Sequence, residues 1–322
     1  MRSFKGSILV TILGLIFAVF WGGYKAFFLT LILAVLEVSL SFDNAIMNAH
    51  VLQKMDPIWQ KRFLTWGMLI AVFGVRFLLP IVLVMITARI NPFQILDYSK
   101  HLFEAQYTLN AFGGLFLLLV FSSFLFDHRR TLHWLGSFER KLGHLGSFRF
   151  INILMGLLIL GAIQFITPET KKVEVILAGL VGMLLWFILH SVTVFLKKDQ
   201  KLLPSLGVLN FCYLEVLDAS FSFDGVIGAF AITKDIVVIM LGLGMGALFV
   251  RSLTVFFIQR RTLQKYLFLE HGAYYAIGAL GCIMLLNLAI HTPEIVTGLI
   301  GVSFILTSLL SSIYHNKKNT NS

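Results

Sequence analysis

Charge is scarce in this chain: 16 acidic and 26 basic residues among 322 make 13% of the total, against 58% apolar residues and a mean hydropathy of +0.87. One soluble core cannot bury that excess, since about a quarter of an ordinary globular chain is charged. Proline is also sparse, at six, so long helices meet few breakers. The two cysteines, Cys212 and Cys282, lie inside apolar runs with no CxxC or Cys/His spacing. That speaks against a zinc site or a redox pair and predicts a packing role for both. The net charge of +10 would fit a nucleic-acid partner in a soluble protein. Here the basic residues sit between apolar runs, where they act as topology signals, and no nucleic-acid partner is expected.

What fills the chain is a series of apolar runs at 7–21, 26–49, 63–86, 107–126, 150–166, 173–196, 206–232, 236–258, 272–290 and 295–314. At about 20 residues per spanning helix, they predict an all-α polytopic membrane protein of about ten transmembrane helices. Residues 1–322 then form a single transmembrane domain, with membrane lipid as a partner. The first run has the layout of a signal peptide, but Phe20, Trp21 and Tyr24 stand where small residues should mark cleavage, so a retained helix is expected. Alternating the sides of the runs puts 18 Lys and Arg residues with the two termini and only six on the opposite face, namely Lys25, Arg89, Lys100, Lys171, Lys172 and Lys234. This asymmetry predicts cytoplasmic N- and C-termini. The loop 127–149, basic and carrying Trp134 and Phe138, reads as an amphipathic cytoplasmic segment that either binds anionic lipid or only sets topology.

Five carboxylates fall inside the apolar runs: Glu37 and Asp43 in the second, Glu215, Asp218 and Asp224 in the seventh. Each costs about 2.5–3.5 kcal/mol at mid-bilayer when it faces lipid, so a shared polar interior is expected. The two runs also resemble each other, because Glu37-Val-Ser-Leu-Ser-Phe-Asp43-Asn44 aligns without a gap on Asp218-Ala-Ser-Phe-Ser-Phe-Asp224-Gly225. Gly67 and Arg76 recur downstream at the same spacing as Gly242 and Arg251. This is an internal duplication, with copies at about 26–126 and about 206–310. The second motif run comes five runs after the first, an odd step, so it crosses the membrane in the opposite sense. The expected architecture is an inverted repeat around a midplane site.

At 100° per residue, Glu37, Ser41, Asn44 and Asn48 share a stripe about 60° wide, and Asp43 falls roughly 120° away. Glu215, Asp218, Ser222 and Gly225 form the corresponding stripe, with Asp224 again off it. We therefore expect both helices to unwind or kink near the Ser-Phe-Asp segment. Carboxylate, amide and hydroxyl oxygens without thiolate or imidazole suit Mg²⁺, Ca²⁺ or Mn²⁺ rather than Zn²⁺ or copper. Arg76 and Arg251, the two basic residues within runs, are expected as counter-ions or gates.

At these residues the sequence resembles the TerC family of integral membrane proteins, within the lysine-exporter-like superfamily. The second motif, Glu215-Val-Leu-Asp218-Ala-Ser-Phe221-Ser-Phe-Asp224 followed by Gly242 to Arg251, carries the more specific likeness, which extends over about 36–310. Glu270-His271-Gly272-Ala273-Tyr274-Tyr275 and His291-Thr-Pro-Glu294 mark an uncharacterised branch. The resemblance implies Mn²⁺ export across a bacterial inner membrane. It implies metal binding by Glu37, Asp43, Asn44, Glu215, Asp218 and Asp224, with Arg76 and Arg251 as supporting charges; Ser41, Asn48 and Ser222, from the polar stripes, are expected as supporting polar or gating groups. One departure is Gly225, which stands where the family usually has a serine. No prosthetic group is implied, since the metal is cargo, and no enzymatic activity is expected. Two other readings stand beside it. One is a transporter or sensor for Ca²⁺, a cationic amino acid or a tellurium species. The other is an intramembrane aspartyl hydrolase built on Asp43 and Asp224, against which Phe42-Asp43 and Phe223-Asp224 replace the usual YD and GxGD contexts.

Overall fold

The computed structural model describes residues 4–67, 69–70, 74, 98–148, 150–196, 205–233, 235–260, 262–290 and 292–320, and every regular element among them is helical. In chain order these are α1 (Lys5–Leu40), α2 (Phe42–Leu52), α3 (Pro57–Arg62), α4 (Tyr98–Leu125), α5 (Ser137–Leu145), α6 (Ile151–Ile163), α7 (Lys172–Leu196), α8 (Ser205–Ile232), α9 (Ile236–Gln259), α10 (Thr262–Lys265), α11 (Leu269–Leu286) and α12 (Glu294–Thr320). A π-helical turn at Phe63–Gly67 follows α3. Six apolar stretches among the described residues are long enough to cross a membrane: Lys5–Leu40, Gln106–Leu125, Glu169–Val192, Ile236–Gln259, Leu269–Leu286 and Val296–Lys317. The protein is a multi-pass helical membrane protein. Helix α8 has 28 residues, but three acids interrupt its hydropathy, while α6 is apolar and short at 13 residues. The expected run at 63–86 lies mostly outside the described residues.

Contacts divide the chain into two compact units. The first comprises Met1–Gln106, Leu196–Thr262 and Pro293–Leu299, and the second Tyr107–Phe195, Leu263–Thr292 and Ile300–Ser322. In the first unit, α1 folds back on itself. Gly22 (φ −147°, ψ 23°) and Gly23 (φ 66°, ψ −157°) break the helix, and Gly23 occupies backbone space that is open in practice to glycine alone. Before the break, Ser7 Oγ donates to the Leu248 carbonyl 2.9 Å away and Trp21 Nε1 to Asp235, so this half runs antiparallel to α9. After it, Leu33 packs on Gly242 and Glu37 on Gly246, so the second half runs parallel to α9. The separate runs 7–21 and 26–49 are thus two limbs of a helical hairpin. Asp235 caps the start of α9 by accepting from the Val237 and Val238 amides.

The second unit is built on close approaches at glycine. Gly114 meets Leu285, Gly278 meets the Phe121 ring and Gly281 meets Leu118, which sets α4 antiparallel to α11. Gly156 receives Leu119 and Met183, bringing α6 and α7 onto α4. At one end of this unit Glu139, 1% exposed, gathers three donors at 2.9 Å: the Arg130 guanidinium, the Trp134 amide and the Tyr275 hydroxyl. Arg130 also stacks 3.6 Å above the Phe124 ring, and His271 Nε2 lies 3.2 Å from the Leu132 carbonyl oxygen. A buried carboxylate held this way is costly to strip of a partner. Tyr275→Phe should therefore destabilise the protein by about 1–2 kcal/mol, read as an earlier thermal transition in detergent. An unchanged transition would mean that the hydroxyl contributes nothing to holding Glu139.

Both cysteines are free and exposed, so the packing role expected for them is not met. Where the surroundings are lipid, an apolar side chain can face outward without cost. Apolarity alone therefore does not mark a packed position.

Candidate functional site

The acidic residues of the first unit are carried by α1, α2 and α8. Helix α1 ends at Leu40 because Ser41 leaves helical geometry (φ −102°, ψ 16°), and α2 restarts at Phe42. Glu37, 1% exposed, accepts from the Ser41 hydroxyl at 2.7 Å. Its side chain fits only because two neighbours are glycine. A Cβ on Gly246 would come within 2.5 Å of the Glu37 Cβ, and one on Gly225 within 2.8 Å of Oε2. Asp43, also buried, accepts from the backbone N–H of Asn44 at 2.9 Å, a different donor from the Asn44 side-chain amide. The amides of Asn44 and Asn48, one turn apart on α2, both donate to Asp218 Oδ1. Glu37 thus meets residue 225 and Asn44 meets residue 218, so the two motif helices cross antiparallel.

The expected unwinding is found in one copy only. The first motif breaks at Ser41, but α8 runs as regular helix through Ser222–Gly225. The expectation for the second copy is corrected. Its physical reason is Gly225: with no side chain there, Glu37 approaches the helix surface directly and α8 has no need to open. Asp224 therefore keeps a helical backbone, and its side chain lies outside the described residues, as does Arg76 altogether.

Glu215 sits one turn before Asp218, and its Oε1 lies 2.5 Å from where a Gly67 Cβ would be. Gly67 closes the π-helical turn, which α8 meets through the Phe63–Phe211 edge contact at 5.9 Å. On α9, Arg251 Nε donates to the Leu64 carbonyl at 2.7 Å. Asn44, Asn48, Asp218, Arg251 and Thr254 line a cavity with Phe63, Leu64, Ala247 and Val250. It leaves about 10 Å³ for the centre of a water-sized sphere, room for one water or one bare ion.

On α2 and α8, five buried oxygens have no hydrogen-bond partner among the described residues: Asn44 Oδ1, Asn48 Oδ1, Glu215 Oε1 and Oε2, and Ser222 Oγ. Four of them are pure acceptors and the fifth is a hydroxyl. Such groups are stabilised by a cation or by protons. Among the described residues no three acidic, histidine or cysteine side chains converge as a ready-made metal cluster. Any ion here would therefore take amide and hydroxyl oxygens along with carboxylates. Sequence reasoning missed Thr254 as a lining residue, which nothing in its Leu-Thr-Val setting signals. It also missed the buried Glu139 group, because Glu139 lies in a loop that reads as solvated.

No curated protein and no solved structure matches the chain. One family, described as "Protein of unknown function (DUF475)", matches residues 42–319. That match takes in both asparagines of α2 and every acid of α8, and covers most of the 322 residues. The chain belongs to the DUF475 family.

Proposed function

We propose that this protein exports a divalent cation, with Mn²⁺ as the first candidate cargo, through the cavity between the two acidic motif helices. The observation that carries the reading is the set of buried acceptor oxygens on α2 and α8 that have no donor among the described residues, beside Asp43, Asp218 and Glu37. These are hard oxygen ligands, which Mn²⁺, Mg²⁺ and Ca²⁺ accept and which Zn²⁺ and copper do not prefer. The small cavity favours a single ion over a cationic amino acid as cargo, and Ca²⁺ is the second reading. Asp224 joins the ligand set through the family likeness to TerC proteins, with Arg76 and Arg251 as supporting charges.

A ten-span inverted repeat with cytoplasmic termini, in a bacterial inner membrane, belongs to the same proposal. It is supported by the antiparallel crossing of the motif helices. Transport then proceeds by rocking one copy against the other around the acids. Protons exchange for the metal as the clustered carboxylates charge and discharge.

The test is total Mn, Mg, Ca, Zn and Fe by mass spectrometry in Mn-loaded cells that lack their own exporter. Cells expressing wild type should lose Mn, and cells expressing Asp218→Asn or Asp43→Asn should not. Unchanged Mn with correctly inserted protein would reject Mn²⁺ export, and a fall in another metal would name the cargo.

A further inference from the structure

We propose that the segment joining α4 to α6 is a docking surface for anionic lipid headgroups, with α5 lying in the membrane interface. Short stretches tie α5 to apolar helices at both ends, since Leu125 closes α4 and Ile151 opens α6. The segment is thereby held where those helices meet the headgroups.

Helix α5 has three faces. Glu139 and Gly143 point into the second unit and are buried. Phe138, Leu142 and Leu145 share a second face at 100° per residue; Phe138 is 58% and Leu145 40% exposed, with Leu142 half-buried between them. Arg140, Lys141 and His144 fill the remainder and are exposed. Leu135 and Phe148 extend the apolar strip at either end, at 48% and 67% exposure. Large exposed apolar side chains beside basic ones are the pattern of a helix lying along a bilayer surface.

The buried group beneath α5 makes this surface positive. Glu139, the one acid on the helix, is withdrawn and compensated by Arg130, Tyr275 and the Trp134 amide. The charges left outside between α4 and the end of α5 are Arg129, Arg140 and Lys141, against Asp127 alone. That balance complements anionic headgroups, while the apolar strip places the contact in the bilayer rather than on a soluble acidic protein. The same Glu139 bonds fix the rotation of α5, so the lipid-facing side is presented by the folded protein without rearrangement.

The test uses the full chain in nanodiscs, with Cys212→Ser and Cys282→Ser removing the native thiols and Phe138→Cys carrying a nitroxide. Accessibility to a water-soluble relaxing agent is compared in phosphatidylcholine discs and in discs that also contain phosphatidylglycerol. The label should be shielded when phosphatidylglycerol is present. Arg140→Gln with Lys141→Gln should lower the ratio of shielded to exposed label by about fivefold per residue removed. Both substitutions are on the surface and leave Glu139 untouched. A label open to water in both lipids, or equal shielding in both, would overturn the proposal. So would shielding that the double substitution leaves unchanged. The readout is lipid contact, so it stands apart from the outcome of any transport assay.

Discussion

Gly246→Val should unfold the protein at a clearly lower temperature than wild type, while Gly161→Ala should leave the transition unchanged or raise it slightly. The contrast comes from what surrounds each position. A side chain at Gly246 would overlap Glu37 Cβ and Cγ at 2.5 and 2.6 Å and the Ala34 carbonyl at 2.9 Å. Two of these atoms belong to a buried acid that has no room to retreat, and the third is backbone. Overpacking of this kind costs about 1–3 kcal/mol and more when backbone must shift. At Gly161, inside α6, nothing lies within 4 Å, and alanine gains up to about 1 kcal/mol of helix propensity. Thermal unfolding in detergent, followed by tryptophan fluorescence, separates the two. Equal transitions for Gly246→Val and wild type would mean that α1 and α9 do not pack through this glycine.

Glu215→Gln should act in opposite directions on stability and on cation binding. Both Glu215 oxygens are buried without a donor among the described residues, an arrangement that penalises the charged carboxylate. The amide keeps the shape and removes the charge, so in metal-free detergent solution the variant should be more stable by about 1–3 kcal/mol. Added Mn²⁺ should raise the wild-type transition by mass action and leave that of the variant much less changed. Asp218→Asn offers the comparison, because the Asn44 and Asn48 side-chain amides both donate to Asp218 Oδ1, and an asparagine there keeps one oxygen for them but loses the charge that strengthens both bonds. That variant should be less stable than wild type. A Glu215→Gln protein that is destabilised, or that responds to Mn²⁺ as wild type does, would remove Glu215 from the cation site.

Much of the site's layout is legible before any coordinates. The odd step of five runs from one motif to the other predicts opposite directions, and the pairs Glu37–Gly225 and Asn44–Asp218 run that way. The stripe of Glu37, Ser41, Asn44 and Asn48 also holds together, three of them around Asp218 or the Glu37 carboxylate. The unwinding expected at both motifs fails at the second. An ideal helical wheel treats Gly225 as one more member of the stripe and gives no sign that its missing side chain admits an acid from another helix. In the same way the sequence shows Glu139 as a charged residue of a basic loop, although Arg130 and Trp134 from the stretch before α5 and Tyr275 from α11 close on its carboxylate.

Composition, hydropathy and the parity of the runs are properties of one dimension, and they suffice for the helical membrane class, the separation of the runs 7–21 and 26–49 and the antiparallel sense of the acidic helices. Which oxygens lack donors, where Arg251 is tied and which acid lies against which glycine depend on the rotation and axial offset of each helix. Close contacts at Gly67, Gly225, Gly242 and Gly246 set those two quantities, and such contacts exist only once distant parts of the chain have packed together.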